Sequence, residues 1–152
     1  MSTTSLFTRR SVLTGMACLA AVIAIGLPDL SLAADNPQAI MEKIYASYKD
    51  NGTPAKADYT AELATLLDDF EKHPGFDFFI DGQDYDKVSA EVVLAAENDR
   101  TALVKVKATN FGKVRELEVD FVKDAGTWKI ANVRYPGAEG FDLRSSVGLP
   151  AL

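Results

Sequence analysis

Four aspartates, Asp77, Asp81, Asp84 and Asp86, fall within ten positions. Clustered carboxylate oxygens of this kind can bind a hard cation such as calcium. The spacing does not suit that chemistry, because a helix-loop-helix calcium loop needs acids at alternate positions and a closing glutamate. Neither is present. These side chains are better read as acceptors of backbone N–H bonds that organise a turn, and no metal is expected. The neighbouring Phe76, Phe78, Phe79 and Ile80 are too apolar for a solvated connection, so part of the loop should be buried as a plug on the core.

Other chemistries have weaker support. The only histidine, His73, stands beside Pro74 at an expected helix end, where it suits a C-terminal dipole partner better than a catalytic base. No glycine-rich phosphate loop and no Ser-His-Asp ordering is present. The one cysteine, Cys18, lies in an amino-terminal apolar segment, so a chain that loses this segment has no thiolate site and no disulfide. Trp128 and the tyrosines Tyr45, Tyr48 and Tyr59 read most economically as core residues with a polar tip near the surface.

The elements that must position these residues change texture once. Asn36 can cap a helix with Pro37 at its first position, and Ile40, Met41, Ile44, Tyr45 and Tyr48 recur at helical spacing until Asn51-Gly52. A second helix is predicted from near Asp58, with Tyr59, Leu63, Leu66, Leu67 and Phe70 as its apolar stripe and His73-Pro74-Gly75 as its stop. Alternation then takes over. Four strands are predicted, at about Lys87–Ala96, Ala102–Thr109, Val114–Lys123 and Thr127–Tyr135, joined at Asn98-Asp99, Asn110-Phe111-Gly112 and Asp124-Ala125-Gly126. In the third, Leu117, Val119 and Phe121 share one face and Glu116, Glu118 and Asp120 the other. The expected fold is therefore α+β, two helices on one face of a curved four-stranded antiparallel meander, with an irregular tail from about residue 137 that has room for a short turn at Asp142-Leu143-Arg144.

Residues 1–33 read as a cleavable export signal. Thr8-Arg9-Arg10-Ser11-Val12-Leu13 is a basic stretch running into an apolar segment that ends at Leu27, short of the roughly 20 residues needed to span a bilayer. Ser31-Leu32-Ala33 supplies a small-residue cleavage site. The paired arginines favour the twin-arginine route over general secretion, although Val12 and Thr14 depart from its usual pattern. An uncleaved anchor is the alternative, and lipidation at Cys18 is disfavoured by Gly15 and by the apolar run that follows it. The remaining 34–152 span forms one domain with 14 basic and 21 acidic residues, a formal charge of −7. Such a balance disfavours nucleic acid and anionic membrane surfaces. The expected location is periplasmic or secreted.

The run Phe76-Asp77-Phe78-Phe79-Ile80-Asp81-Gly82-Gln83-Asp84, preceded by the Tyr59–Leu67 helix and followed by Gly126-Thr127-Trp128-Lys129-Ile130-Ala131-Asn132-Val133, resembles the bacterial exported domain of unknown function numbered 3828. That family is similar in fold to nuclear transport factor 2-like proteins, whose helices and bent sheet enclose a cone-shaped cavity. The resemblance implies that Gln83 and Asp84 sit near a cavity rim, with Arg144 a candidate partner for Asp84. It offers Asp77, Asp81, Gln83, Asp84, Tyr48, Trp128 and Arg144 as candidate ligand-binding residues, while structural duty is the favoured reading of Gln83 and Asp84. No cofactor is implied. The expected function is small-molecule binding in the cone. The alternatives are a periplasmic protein-binding or inhibitor module and an acid/base cavity enzyme, the last disfavoured because no inward acid can be matched to an opposing tyrosine. Sheet faces in this fold often pair, which leaves a homodimer open.

Overall fold

A computed structural model describes residues 36–49, 55–71, 76–137 and 140–152. The expected export signal, the Asn51-Gly52 stop and the His73–Gly75 stop lie outside these residues. The architecture is α+β, with helices α1 (Pro37–Ala46), α2 (Ala61–Glu71) and α3 (Leu143–Ser146) and strands β1 (Ser89–Glu97), β2 (Thr101–Asn110), β3 (Lys113–Asp124) and β4 (Thr127–Arg134).

Helix α1 begins where expected. The Asn36 side chain accepts from the Gln38 N–H at 2.8 Å, satisfying a donor that has no partner within the helix, and Pro37 at the first position has no N–H to satisfy. Met41, Ile44 and Tyr45 are buried from this helix, each contributing on the order of 1.5–3 kcal/mol of apolar burial. The helix ends at Ala46, and Tyr48 is held in the turn that follows. Helix α2 starts at Ala61, three residues later than Asp58 suggests, because the backbone before it is committed elsewhere. The Ile130 N–H donates to Asp58 O at 2.8 Å, and the Thr60 N–H donates to Ile130 O at 2.9 Å. Tyr59 thus forms a bridge to β4 and is not part of the helical stripe. Leu63 and Leu67 of the stripe are buried, whereas Leu66 is exposed.

The sheet is an antiparallel meander in the order β1-β2-β3-β4. Both longer hairpins turn on two residues of positive φ, Phe111-Gly112 and Ala125-Gly126, the conformation whose twist matches the flanking strands. The first hairpin turns through Asn98, whose side chain accepts from the Arg100 and Thr101 N–H groups at 2.9 Å each. Register shifts at Leu94/Ala96 and at Asp120/Phe121 mark bulges in β1 and β4, which bend strands locally.

Val104, Val106, Leu117, Val119, Phe121, Ile130 and Val133 are buried on the helix-facing side, in one hydrophobic cluster with Met41, Leu63, Leu67 and Trp128. The opposite side is charged in alternating signs. Lys105 meets Glu118 at 3.2 Å, and Arg134 meets Glu118 at 3.2 Å and Asp120 at 3.0 Å. The free side of β4 is covered by the Tyr59–Ile130 and Arg134–Asp142 bridges, which removes an edge open to pairing.

The tail from Gly140 is tied down by one buried amide. Asn132, 1% exposed, accepts from the Arg144 N–H at 3.1 Å and donates to Asp142 at 2.9 Å. Burial pushes the Asp142 pKa up, but hydrogen bonds from Ser145 and Asn132 and the Arg134 charge outweigh it, so this carboxyl titrates below its usual range. Among the described residues no helix is long and apolar enough to cross a membrane.

Candidate binding site at the pinned loop

Residues 76–86 form a closed and fastened loop. The Asp77 N–H donates to Gly82 O at 2.7 Å, and Asp81 at the corner takes a φ of 52°. Asp77 Oδ1 accepts from the Phe79 N–H at 2.8 Å, the turn-organising role expected of these aspartates. Phe79 and Ile80 are buried as the plug, Phe78 is half-buried and Phe76 is exposed. The loop is only partly apolar in function as well as in sequence, because its carbonyls need donors and its neighbours supply them. Tyr45 Oη donates to Phe79 O at 2.7 Å, Tyr135 Oη to Phe78 O at 2.9 Å, and Asn110 Nδ2 to Asp84 O at 3.0 Å. Of the tyrosine tips expected near the surface, that of Tyr45 is therefore turned inward onto this backbone.

Tyr48 and Asp77, two of the sequence candidates, meet. Tyr48 Oη lies 2.5 Å from Asp77 Oδ2. Burial raises the Asp77 pKa despite the hydrogen bonds from Tyr48 and the Phe79 N–H. Burial likewise raises the phenol pKa values of Tyr48, Tyr45 and Tyr135, and the nearby Asp77 charge adds to the rise in each. With both carboxylate oxygens engaged and the phenols held neutral, this pair is a clamp on the loop. The pair is a partly buried acid matched to an opposing tyrosine, which the sequence alone does not identify.

Asp81 pairs with Arg115 of β3. Arg115 precedes Leu117 by two positions, so strand alternation turns it to the helix-facing side beyond the end of the core. That alternation was the available signal for a residue absent from the sequence candidates. Gln83 and Asp84 are exposed, which removes the need for a buried partner at Asp84. Arg144, expected to pair with Asp84, instead donates to Pro150 O at 2.7 Å and approaches Glu62 at 3.4 Å, because α3 carries it to the α2 and tail side of the molecule. Trp128 is buried, pairs across the sheet with Lys123 and lies under its ammonium at 4.9 Å. Eight residues of strand separate Lys123 from Arg115, roughly 26 Å at the usual rise per residue. Neither Trp128 nor Arg144 joins the loop.

Two clefts flank the Asp81–Arg115 pair. The larger, about 700 Å³, has residues 81–84 as one wall and Asn110, Phe111, Lys113 and Arg115 as the other. The smaller, about 480 Å³, is walled by Phe76, Phe78, Tyr135 and Phe141. Among the described residues no three acidic, histidine or cysteine side chains gather to hold a metal. Comparison of the chain with protein-family models returned no match, and neither did comparison with curated proteins or with solved structures.

Proposed function

We propose that this chain is an exported, non-catalytic binding module that takes a small molecule into the groove between residues 81–84 and the β2–β3 hairpin. The observation that carries the reading is a groove of about 700 Å³ whose loop wall belongs to the 76–86 loop, fastened in advance by side chain-to-carbonyl hydrogen bonds from Asn110 to the wall itself and from Tyr45 and Tyr135 to the residues just before it. Ligand sites are typically preformed clefts of about this size with a few placed polar groups. Here those groups are Gln83, Asp84 and Lys113. The nuclear transport factor 2-like cone and membership of the exported family numbered 3828 belong to the same proposal. They are supported by the order of helices before a bulged meander and by the Asp81–Asp84 and Gly126–Ile130 runs. Native mass spectrometry of protein isolated from its own cell envelope tests the reading. A mass adduct lost on denaturation is expected, and a Gln83→Ala/Lys113→Ala variant should retain it about tenfold less well. A spectrum of bare protein alone refutes the proposal.

A second reading, binding of a protein in the same compartment, is favoured by Phe111 and Val114, 58% and 55% exposed at the β2–β3 turn. A contiguous exposed apolar patch marks protein contact, and Phe111 and Val114 line one and the same groove. A partner whose binding is abolished by Phe111→Ser, with the groove empty, would select this alternative.

A further inference from the structure

We infer a second binding site, on the far side of the Asp81–Arg115 pair, that takes a planar aromatic carboxylate. It goes beyond the groove proposed above, since the linings of the two clefts share only Asp81 and Arg115.

The wall of this cleft is a row of four rings ending in a cation. Phe76 meets Phe78 edge-on with centroids 5.7 Å apart, Phe78 stacks on Phe141 at 5.6 Å and 11°, and Phe141 leans on Tyr135 at 5.1 Å. The Arg115 guanidinium then lies 5.2 Å from the Tyr135 centroid. Exposure falls along the row, from 43% at Phe76 to 7% at Tyr135. The deep end is locked, because Tyr135 donates through its hydroxyl to Phe78 O and through its N–H to Phe141 O, both at 2.9 Å. Two ring-bearing stretches distant in sequence, Phe76 with Phe78 and Tyr135 with Phe141, are thereby held in one surface before any ligand arrives.

Ring faces and edges of fixed orientation favour a flat π-system over a flexible aliphatic group of equal area, because offset and edge-on ring pairs add attraction beyond burial. The polar end of the ligand follows from Arg115. One of its nitrogens, Nη2, is engaged with Asp81, and no hydrogen bond is formed by its Nε or Nη1 among the described residues. A guanidinium presents its donors as a planar fork that matches a carboxylate, so the unused edge is suited to that group. A cationic ligand would have to displace Arg115 from Asp81.

Titration of the full chain with naphthoate, read by amide chemical shifts, tests the site. Saturable shifts at Tyr135, Phe141 and Ser146 are expected, with naphthylmethylamine and cyclohexanecarboxylate each at least about tenfold weaker. Arg115→Gln should weaken naphthoate at least about tenfold, and Arg115→Lys should not restore it, since a lysine lacks the fork. Phe76→Ala, at an exposed position that threatens the fold least, should weaken it by about two- to tenfold. Lys107→Gln, a cation on the opposite sheet face, should leave the affinity unchanged. The inference is overturned by shifts confined to residues 108–113, by equal binding of the amine, or by absence of saturation. Shifts at 108–113 would leave the larger groove as the binding site, and an empty groove with saturable shifts at Phe141 would leave this site standing without it.

Discussion

Replacing Tyr48 by phenylalanine deletes one oxygen and isolates the clamp on the loop. The ring is 3% exposed and its hydroxyl is 2.5 Å from Asp77 Oδ2, so the variant leaves a partly buried carboxylate one donor short. A hydrogen bond to a charged group is worth about 1.5–3 kcal/mol and a neutral one about 1 kcal/mol. The loss in unfolding free energy should therefore be about 1.5–3 kcal/mol at a pH well above the raised pKa of Asp77 and fall to about 1 kcal/mol once that carboxyl is protonated. Tyr48 lowers the Asp77 pKa through its hydrogen bond, and deleting it makes the folded state take up its proton at higher pH, the same result from the other side of the cycle. Urea unfolding followed by emission of the single, buried Trp128 measures this directly. A loss below about 0.5 kcal/mol at alkaline pH, or one equal at both ends of the pH range, would refute the assignment of the pair as a charge-assisted clamp.

Asp77→Asn should gain stability relative to the parent as pH rises. The folded pKa of Asp77 is raised above 3.8, so its contribution is fully present below that value and is lost as pH climbs through the folded pKa; the amide removes that loss, and parallel pH series of urea midpoints would show it. Asn132→Ala should cost about 1–3 kcal/mol by stranding the Arg144 N–H, and should accelerate hydrogen exchange across residues 143–147 before the sheet opens. On β3, Leu117→Ala should cost about 2–5 kcal/mol, while Val114→Ala, 55% exposed, should cost under about 0.5 kcal/mol by the same urea assay. Conservative Arg9→Lys/Arg10→Lys substitution should hold the precursor in the cytoplasm if export is by the twin-arginine route, and normal fractionation of that variant would favour general secretion.

Element type and order could be read from local pattern, because helical and strand periodicities are properties of neighbouring residues. Met41, Ile44 and Tyr45 repeat every three to four positions, and Leu117, Val119 and Phe121 alternate, and each set is buried as its period requires. Boundaries were less secure where distant backbone intervened. Asp58 reads as a helix start until Ile130 claims its carbonyl, and nothing near Asp58 encodes that contact. Tyr59 was lost from the α2 stripe for the same reason.

The candidate site divides along the same line. The sequence alone determined that Asp77 organises a turn and that Phe79 and Ile80 plug the core, since an aspartate's reach to the next N–H groups and an apolar run's aversion to water are local facts, whereas Asp81, expected in the same role, pairs instead with the side chain of Arg115. Only the tertiary structure decided that Tyr48 binds Asp77, that Arg144 faces Glu62 and not Asp84, and that Arg115 and Phe141 meet Tyr135. Arg115 and Tyr135 lie 20 residues apart, Tyr48 and Asp77 29, and Arg144 and Glu62 82, while Phe141 reaches Tyr135 from six residues away through the backbone bond that folds the tail back. Their partners are chosen by strand register, hairpin bend and the packing of α1 and α3, which side-chain chemistry along the chain does not specify.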